Sequence, residues 1–186
     1  MKRIGLIFFA FSFLVLAGCS KEVVSTPQGS TKSQDSAGFF DSISKYLVTA
    51  EGGKFSANYK GVVSPKYTAI YYSAHWCPPC RAFTPELVKW YNKFQPKHKD
   101  FQLVFVSSDK DEAAMLGYMT EMKMPWPAVK FGEKKETSVA KFAADGIPYL
   151  VLLDEKGKDL TGQPGNEWQP PQGILKKIEE IVGRKK

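Results

Sequence analysis

An α/β fold, with a central mixed β-sheet flanked by helices on both faces, is predicted by three features of the sequence. Short β-branched and aromatic runs alternate with amphipathic segments in the order β, α, β, α, β, β, α. A helical pattern starts just past the end of the first clear strand, as at the strand-to-helix junction of an α/β unit. A last amphipathic stretch is placed to close one face of the sheet, with the crossovers right-handed as such connections nearly always are.

Taken in order, residues 38–66 are expected to add an N-terminal helix and hairpin. Tyr67 to Ser73 reads as a buried strand. From Pro79 to Phe94, the residues Phe83, Leu87, Trp90, Tyr91 and Phe94 recur at three and four, one face of a helix that Pro96 stops from extending. Phe101 to Ser107 is a second strand. Asp109 is expected to cap a helix running through Met115, Tyr118, Met119 and Met122. Ile147-Pro148 opens the strand Tyr149 to Leu153, Glu155 to Lys158 make a turn, and Leu160 is expected to begin a short antiparallel return. Ile174, Leu175, Ile178, Ile181 and Val182 mark the closing helix.

The 186 residues, 43% hydrophobic and 24% charged, suit one globular domain rather than a disordered or fibrous chain. The formal net charge is +7, two of it from Lys2 and Arg3. Lysines and acids are interleaved in Glu133-Lys134-Lys135-Glu136 and Lys176-Lys177-Ile178-Glu179-Glu180, so the charge is spread over solvated faces and nucleic acid is not expected as a partner. Arg184-Lys185-Lys186 reads as a solubilising tail.

The N-terminus carries an address. After Lys2 and Arg3 the chain is almost wholly apolar from Ile4 to Ala17, too short to span a bilayer comfortably and in the order of an export signal. Leu16-Ala17-Gly18-Cys19 resembles a bacterial lipobox, which implies cleavage before Cys19 and lipidation of its thiol. The bland alternative is an ordinary signal peptide with a chance cysteine. Residues 1–18 are therefore expected to be a lipoprotein signal peptide, residues 19–37, polar and rich in Ser and Thr, a flexible tether, and residues 38–186 the folded domain. Lipid chains on Cys19 would hold the protein on a membrane of the cell envelope, facing the periplasm. Ser20 does not decide between inner and outer membrane.

Once Cys19 is assigned to lipid, the remaining cysteines stand three apart in Trp76-Cys77-Pro78-Pro79-Cys80. Two thiols at that spacing at a helix start can close and reopen a small Cys77–Cys80 disulfide with little backbone movement. Cys77 precedes the helix, where unpaired N–H groups and the dipole favour its thiolate, so it is the expected nucleophile. Cys80, one turn inside, is the expected resolving residue. Pro78 and Pro79 remove N–H groups that the helix leaves unpaired and stiffen the loop. A permanent structural disulfide is the alternative, but so short a ring closes little chain entropy. A zinc site would need about four ligands, and beyond the pair only His75 and His98 are available, His98 reading as a surface residue; no metal and no cofactor is expected.

The stretch from Tyr71 to Pro85, Tyr-Tyr-Ser-Ala-His-Trp-Cys-Pro-Pro-Cys-Arg-Ala-Phe-Thr-Pro, resembles the active-site segment of tryparedoxins and nucleoredoxins in the thioredoxin superfamily. The resemblance continues through Met124 to Val129 and Gly146-Ile147-Pro148, covering roughly residues 60–182. It implies a thioredoxin-like fold, a cis peptide bond before Pro148, and a proline loop facing the dithiol where the backbone of Ile147 pairs with a bound polypeptide. A plain strand-initiating proline is the alternative. Trp76 would belong to the docking surface, or be a buried aromatic; Trp126 reads better as core.

Two departures stand out. Tyr71 occupies the place, six residues before the nucleophile, where many thioredoxins carry a buried acid. Phe83 stands where membrane-anchored thioredoxins of cytochrome maturation typically carry an acid.

The expected activity is that of a thiol:disulfide oxidoreductase reducing protein disulfides, with electrons returned by an unidentified membrane or envelope donor. Direction depends on a reduction potential that Pro78-Pro79 does not fix, and the resemblance favours reduction. The alternatives are a lipoprotein that binds envelope partners through an idle scaffold, and a peroxide-detoxifying role that would have to use the same dithiol. A monomer is expected.

Overall fold

The computed structural model describes residues 38–57, 59–162 and 167–184. The expected signal peptide, the tether with Cys19, and the end of the basic tail lie outside the described residues. No helix among the described residues is long and apolar enough to cross a membrane.

Helix α1 (Phe39–Ser44) leads into a hairpin of β1 (Leu47–Glu51) and β2 (Lys54–Ser56). Its turn is Gly52-Gly53, both at positive φ (58° and 74°), a conformation glycine adopts without a Cβ clash. Then come β3 (Tyr67–Ser73), α2 (Pro78–Phe94), β4 (Phe101–Ser107), α3 (Glu112–Glu121), β5 (Ala128–Val129), β6 (Tyr149–Asp154) and α4 (Pro171–Gly183). The six strands form one mixed sheet in the order β2-β1-β5-β4-β3-β6. β3 and β4 run parallel in full register, from Tyr67 opposite Phe101 to Ser73 opposite Ser107, and β6 runs antiparallel to β3.

Period-two alternation sends the residues of each central strand to two cores. On one face Ala69 and Tyr71 of β3, Leu103 and Phe105 of β4, and Leu150 and Leu152 of β6 pack under Phe83, Leu87 and Tyr91 of α2, Met115 and Tyr118 of α3, and Ile174 and Ile178 of α4. Trp126 lies in this core, 1% exposed, as the sequence predicts. On the other face Ile70, Tyr72, Val104, Val106 and Val151 are covered by α1 and by Val139 and Phe142 of a 3-10 turn, Ser138–Phe142. Helices flank both faces, but unequally: three long helices on one, one short helix and a turn on the other.

Several expectations need correction. Asp111, not Asp109, caps α3, its Oδ1 accepting from the Ala114 N–H at 2.8 Å. Helix α2 starts at Pro78 rather than Pro79 and ends at Phe94, followed by a 3-10 turn that contains Pro96. The return strand at Leu160 does not form beyond a single bridge, Leu153 to Asp159. The Asp159 carboxylate accepts the Thr161 N–H at 2.6 Å, which bends the chain away from the sheet. The two-residue strand β5, which joins β1 to β4, is not foreseen because prolines at 125 and 127 precede it and it is too short to show a period. His98 keeps its place at the surface, half-exposed, with its ring stacked on Phe94 at 4.0 Å.

Candidate active site

Strand β3 ends at Ser73, and the chain turns through Ala74, His75 and Trp76 into the amino end of α2. Cys77 is the residue that caps this helix: its φ and ψ are extended (−91°, 107°) and its Sγ accepts the backbone N–H of Cys80 at 3.2 Å. An α-helix leaves its first N–H groups without intrahelical partners. Here those of Pro78 and Pro79 are absent, the Cys77 N–H donates to the Ala74 carbonyl at 3.3 Å, and the Cys80 N–H points at the Cys77 sulfur. The two prolines thus leave one first-turn donor, and it serves Cys77. Cys77 and Cys80 are joined as a disulfide with Cα atoms 5.2 Å apart, so the site is in its oxidised state. Cys80 is fully buried and Cys77 is 3% exposed, while Pro78 and Pro79 lie open to solvent.

A second chain segment completes the site. Because Tyr72 pairs with Tyr149 between β3 and β6, the residues that precede β6 lie across from those that follow β3. The Ile147–Pro148 peptide bond is cis, and the Ile147 carbonyl sits 3.7 Å from Cys77 Sγ. Ile147 packs on the small cluster of Ala74, Cys77 and Cys80. Trp76 is 59% exposed and therefore not a core aromatic; its indole Nε1 donates to the Ser108 carbonyl at 3.0 Å, which fixes the ring beside the dithiol. All seven residues singled out in the folded domain, Trp76, Cys77, Pro78, Pro79, Cys80, Ile147 and Pro148, are thereby brought to one end of the sheet.

Other participants are not foreseen in the sequence. Asp109, freed from the capping role, accepts from the His75 N–H at 2.7 Å and from the Ser107 hydroxyl at 2.8 Å, so it ties the loop before Trp76 to the end of β4. His75 Nε2 lies 2.8 Å from a Glu121 carboxylate oxygen, and its ring stacks on Tyr118 at 5.5 Å.

Beneath α2 runs a chain of buried hydroxyls. Thr84 donates to the Cys80 carbonyl at 2.8 Å, and the Tyr71 and Tyr118 hydroxyls converge on Thr84 Oγ1 at 2.8 and 2.5 Å. With one proton spent on the carbonyl, Thr84 accepts from both tyrosines, and the Ser73 hydroxyl then donates to Tyr118 Oη at 3.0 Å. Burial raises the Tyr71 pKa, reinforced by Tyr118, so Tyr71 stays neutral. No Asp or Glu is fully buried among the described residues. The proton carried by Cys80 must therefore leave by another route than a buried carboxylate. No group of three or more His, Cys, Asp or Glu suited to a metal occurs among the described residues.

A family profile described as thioredoxin-like matches residues 65–158, about half of the chain, and contains both cysteines and the cis-proline. The chain belongs to the thioredoxin-like family. Its fold resembles that of a thioredoxin from Wuchereria bancrofti, with a TM-score of 0.56 at 30% identity over 74% of this chain and 97% of that one. Tryparedoxin I from Leishmania major matches with a TM-score of 0.55 at 25% identity over 76% of this chain and 94% of that one. Among curated sequences, probable nucleoredoxin 1 of Arabidopsis thaliana is 44% identical over 97 residues, 52% of this chain but 16% of that protein. The chain spans less than a quarter of the length of the curated nucleoredoxins it matches.

Proposed function

We propose that the protein is a thiol:disulfide oxidoreductase that reduces disulfides of other proteins in the cell envelope, with Cys77 attacking and Cys80 resolving. The observation that carries this reading is the Cys77 sulfur at the amino end of α2, accepting the Cys80 N–H and adjoining the Ile147 carbonyl. A sulfur so placed is stabilised as a thiolate, the form that attacks disulfides.

In the reduced protein the Cys77 thiolate attacks one sulfur of a substrate disulfide. That S–S bond breaks, a mixed disulfide forms, and the released thiolate takes a proton from solvent. Cys80 loses its proton and attacks Cys77 Sγ, which releases the second substrate thiol and leaves the Cys77–Cys80 disulfide. Two electrons have passed to the substrate. A dithiol donor of the envelope must return two electrons; of the two protons it gives up, one returns to Cys80 and the other goes to solvent, which restores the Cys77 thiolate and the Cys80 thiol. Trp76, Pro78, Pro79, Ile147 and Pro148 would receive the substrate chain.

The envelope location rests on the N-terminal sequence, with a signal at residues 1–18 and lipid on Cys19. Labelled palmitate is expected to enter the wild-type chain and not the Cys19→Ala variant; equal labelling of the two would remove the anchor.

Insulin reduction with a chemical reductant tests the chemistry. Wild type should turn over, whereas Cys77→Ser and Cys80→Ser should fall to the uncatalysed rate; equal rates for all three would end the redox reading. The Cys80→Ala variant should hold partners as mixed disulfides on Cys77, because nothing remains to resolve them. Failure to capture any thiol-linked protein from intact envelopes would count against polypeptide substrates.

A further inference from the structure

Three large apolar side chains stand exposed among the described residues, Val63, Trp76 and Trp168; Trp76 precedes Cys77 in the chain, and Trp168 bonds to the proline loop that faces the dithiol. Trp76 lies on the side of Ser108. Trp168, in the segment ahead of α4, lies on the side of the proline loop: its Nε1 donates to the Pro148 carbonyl at 2.8 Å. Its ring leans on Gly146 so closely that a Cβ there would meet ring atoms at 3.1 and 3.2 Å. Between Gly146 and Pro148 stands Ile147, whose carbonyl adjoins the Cys77 sulfur.

The polar edge of each indole is taken up by a backbone carbonyl. What each ring offers to solvent is hydrocarbon, held in a fixed orientation. Trp168 is 42% exposed although such a ring gains about 25 cal/mol for every Å² removed from water, and an indole fixed by its N–H with an open apolar face is the form that recognition anchors take. A polypeptide that pairs with the Ile147 backbone while its cysteine meets Cys77 advances about 3.3 Å per residue. Side chains one or two residues from that cysteine therefore run along the proline loop, the segment whose Pro148 carbonyl holds Trp168.

We propose that Trp168 is a specificity-determining residue: its ring forms the apolar wall on the proline-loop side of Cys77 and selects extended polypeptide segments that carry an apolar side chain beside the reacting cysteine. This rests on the reading of the pair as a reductase of protein disulfides.

The test uses two peptides that differ only in having Leu or Ser beside a cysteine held as a mixed disulfide with glutathione, reduced by the full protein. Wild type should prefer the Leu peptide. Removing an apolar contact of this size costs roughly tenfold in specificity, so the Leu-over-Ser ratio of kcat/KM should fall about tenfold in Trp168→Ala, mainly through KM, and be largely restored in Trp168→Phe. A merely structural role would lower both peptides alike and leave the ratio unmoved, and that result would overturn the proposal. If wild type reduces both peptides equally, the Trp168 inference fails while the reductase reading stands. If it reduces neither, both fall.

Discussion

Thr84 joins the two halves of the buried site, because one hydroxyl serves two tyrosines and the carbonyl of Cys80. Replacing it by valine keeps the shape and removes the hydrogen-bonding atom. Two buried tyrosine hydroxyls then lose an acceptor, which costs about 1–3 kcal/mol. Thr84→Val should therefore lower the urea unfolding midpoint, and an unchanged midpoint would show that the hydroxyl chain contributes nothing. Tyr71 was readable in the sequence as a departure from a buried acid. Its partner was not, since Thr84 stands 13 residues away along the chain and Tyr118 a further 34 beyond Thr84. The same holds for Trp168, a lone aromatic in a Pro-rich stretch 20 residues beyond the carbonyl it binds. Local spacing reveals a cysteine pair, but not a contact made by folding.

At the scale of elements, the caps decide where helices begin. Asp111→Ala removes the side-chain acceptor at the start of α3 and should cost about 1 kcal/mol. Asp109→Ala should leave α3 intact and instead loosen the loop carrying His75 and Trp76, seen as a change in Trp76 fluorescence. A fluorescence change with Asp111→Ala and none with Asp109→Ala would reverse the two assignments. Both aspartates precede the helix by a plausible interval, so the sequence alone could not choose between them. The strands β3, β4 and β6 and the helices α2 and α4 were legible because each is long enough to show its period. Strand β5, at two residues, was not. The bridge at Asp159 looked like a strand because apolar pattern ignores what a carboxylate does to its own backbone.

For the whole molecule, the sheet register is what makes the site: β3 and β6 are neighbours, so the cysteines and the cis-proline meet although some 70 residues separate Cys77 from Ile147. The same burial sets an alkaline limit. Tyr91 and Tyr149 are raised from 10.0 to about 12, mainly by desolvation, and Tyr71 and Tyr72 are raised further for the same reason. A folded pKa above the unfolded one contributes stability that is complete below pH 10.0 and is lost as pH rises through about 12. The urea midpoint should hold steady up to the unfolded tyrosine pKa and fall beyond it; a midpoint flat through strong alkali would contradict the burial. Fold class, the dithiol and the proline loop were all visible beforehand, because each is local in sequence or carried by the family resemblance. The most direct test of the central claim is the pH dependence of alkylation at Cys77 in the reduced protein, followed by peptide mapping. A sulfur served by the amino end of α2 should react half-maximally well below the ~8.5 of a free cysteine, whereas a midpoint at or above that value would contradict the proposed nucleophile.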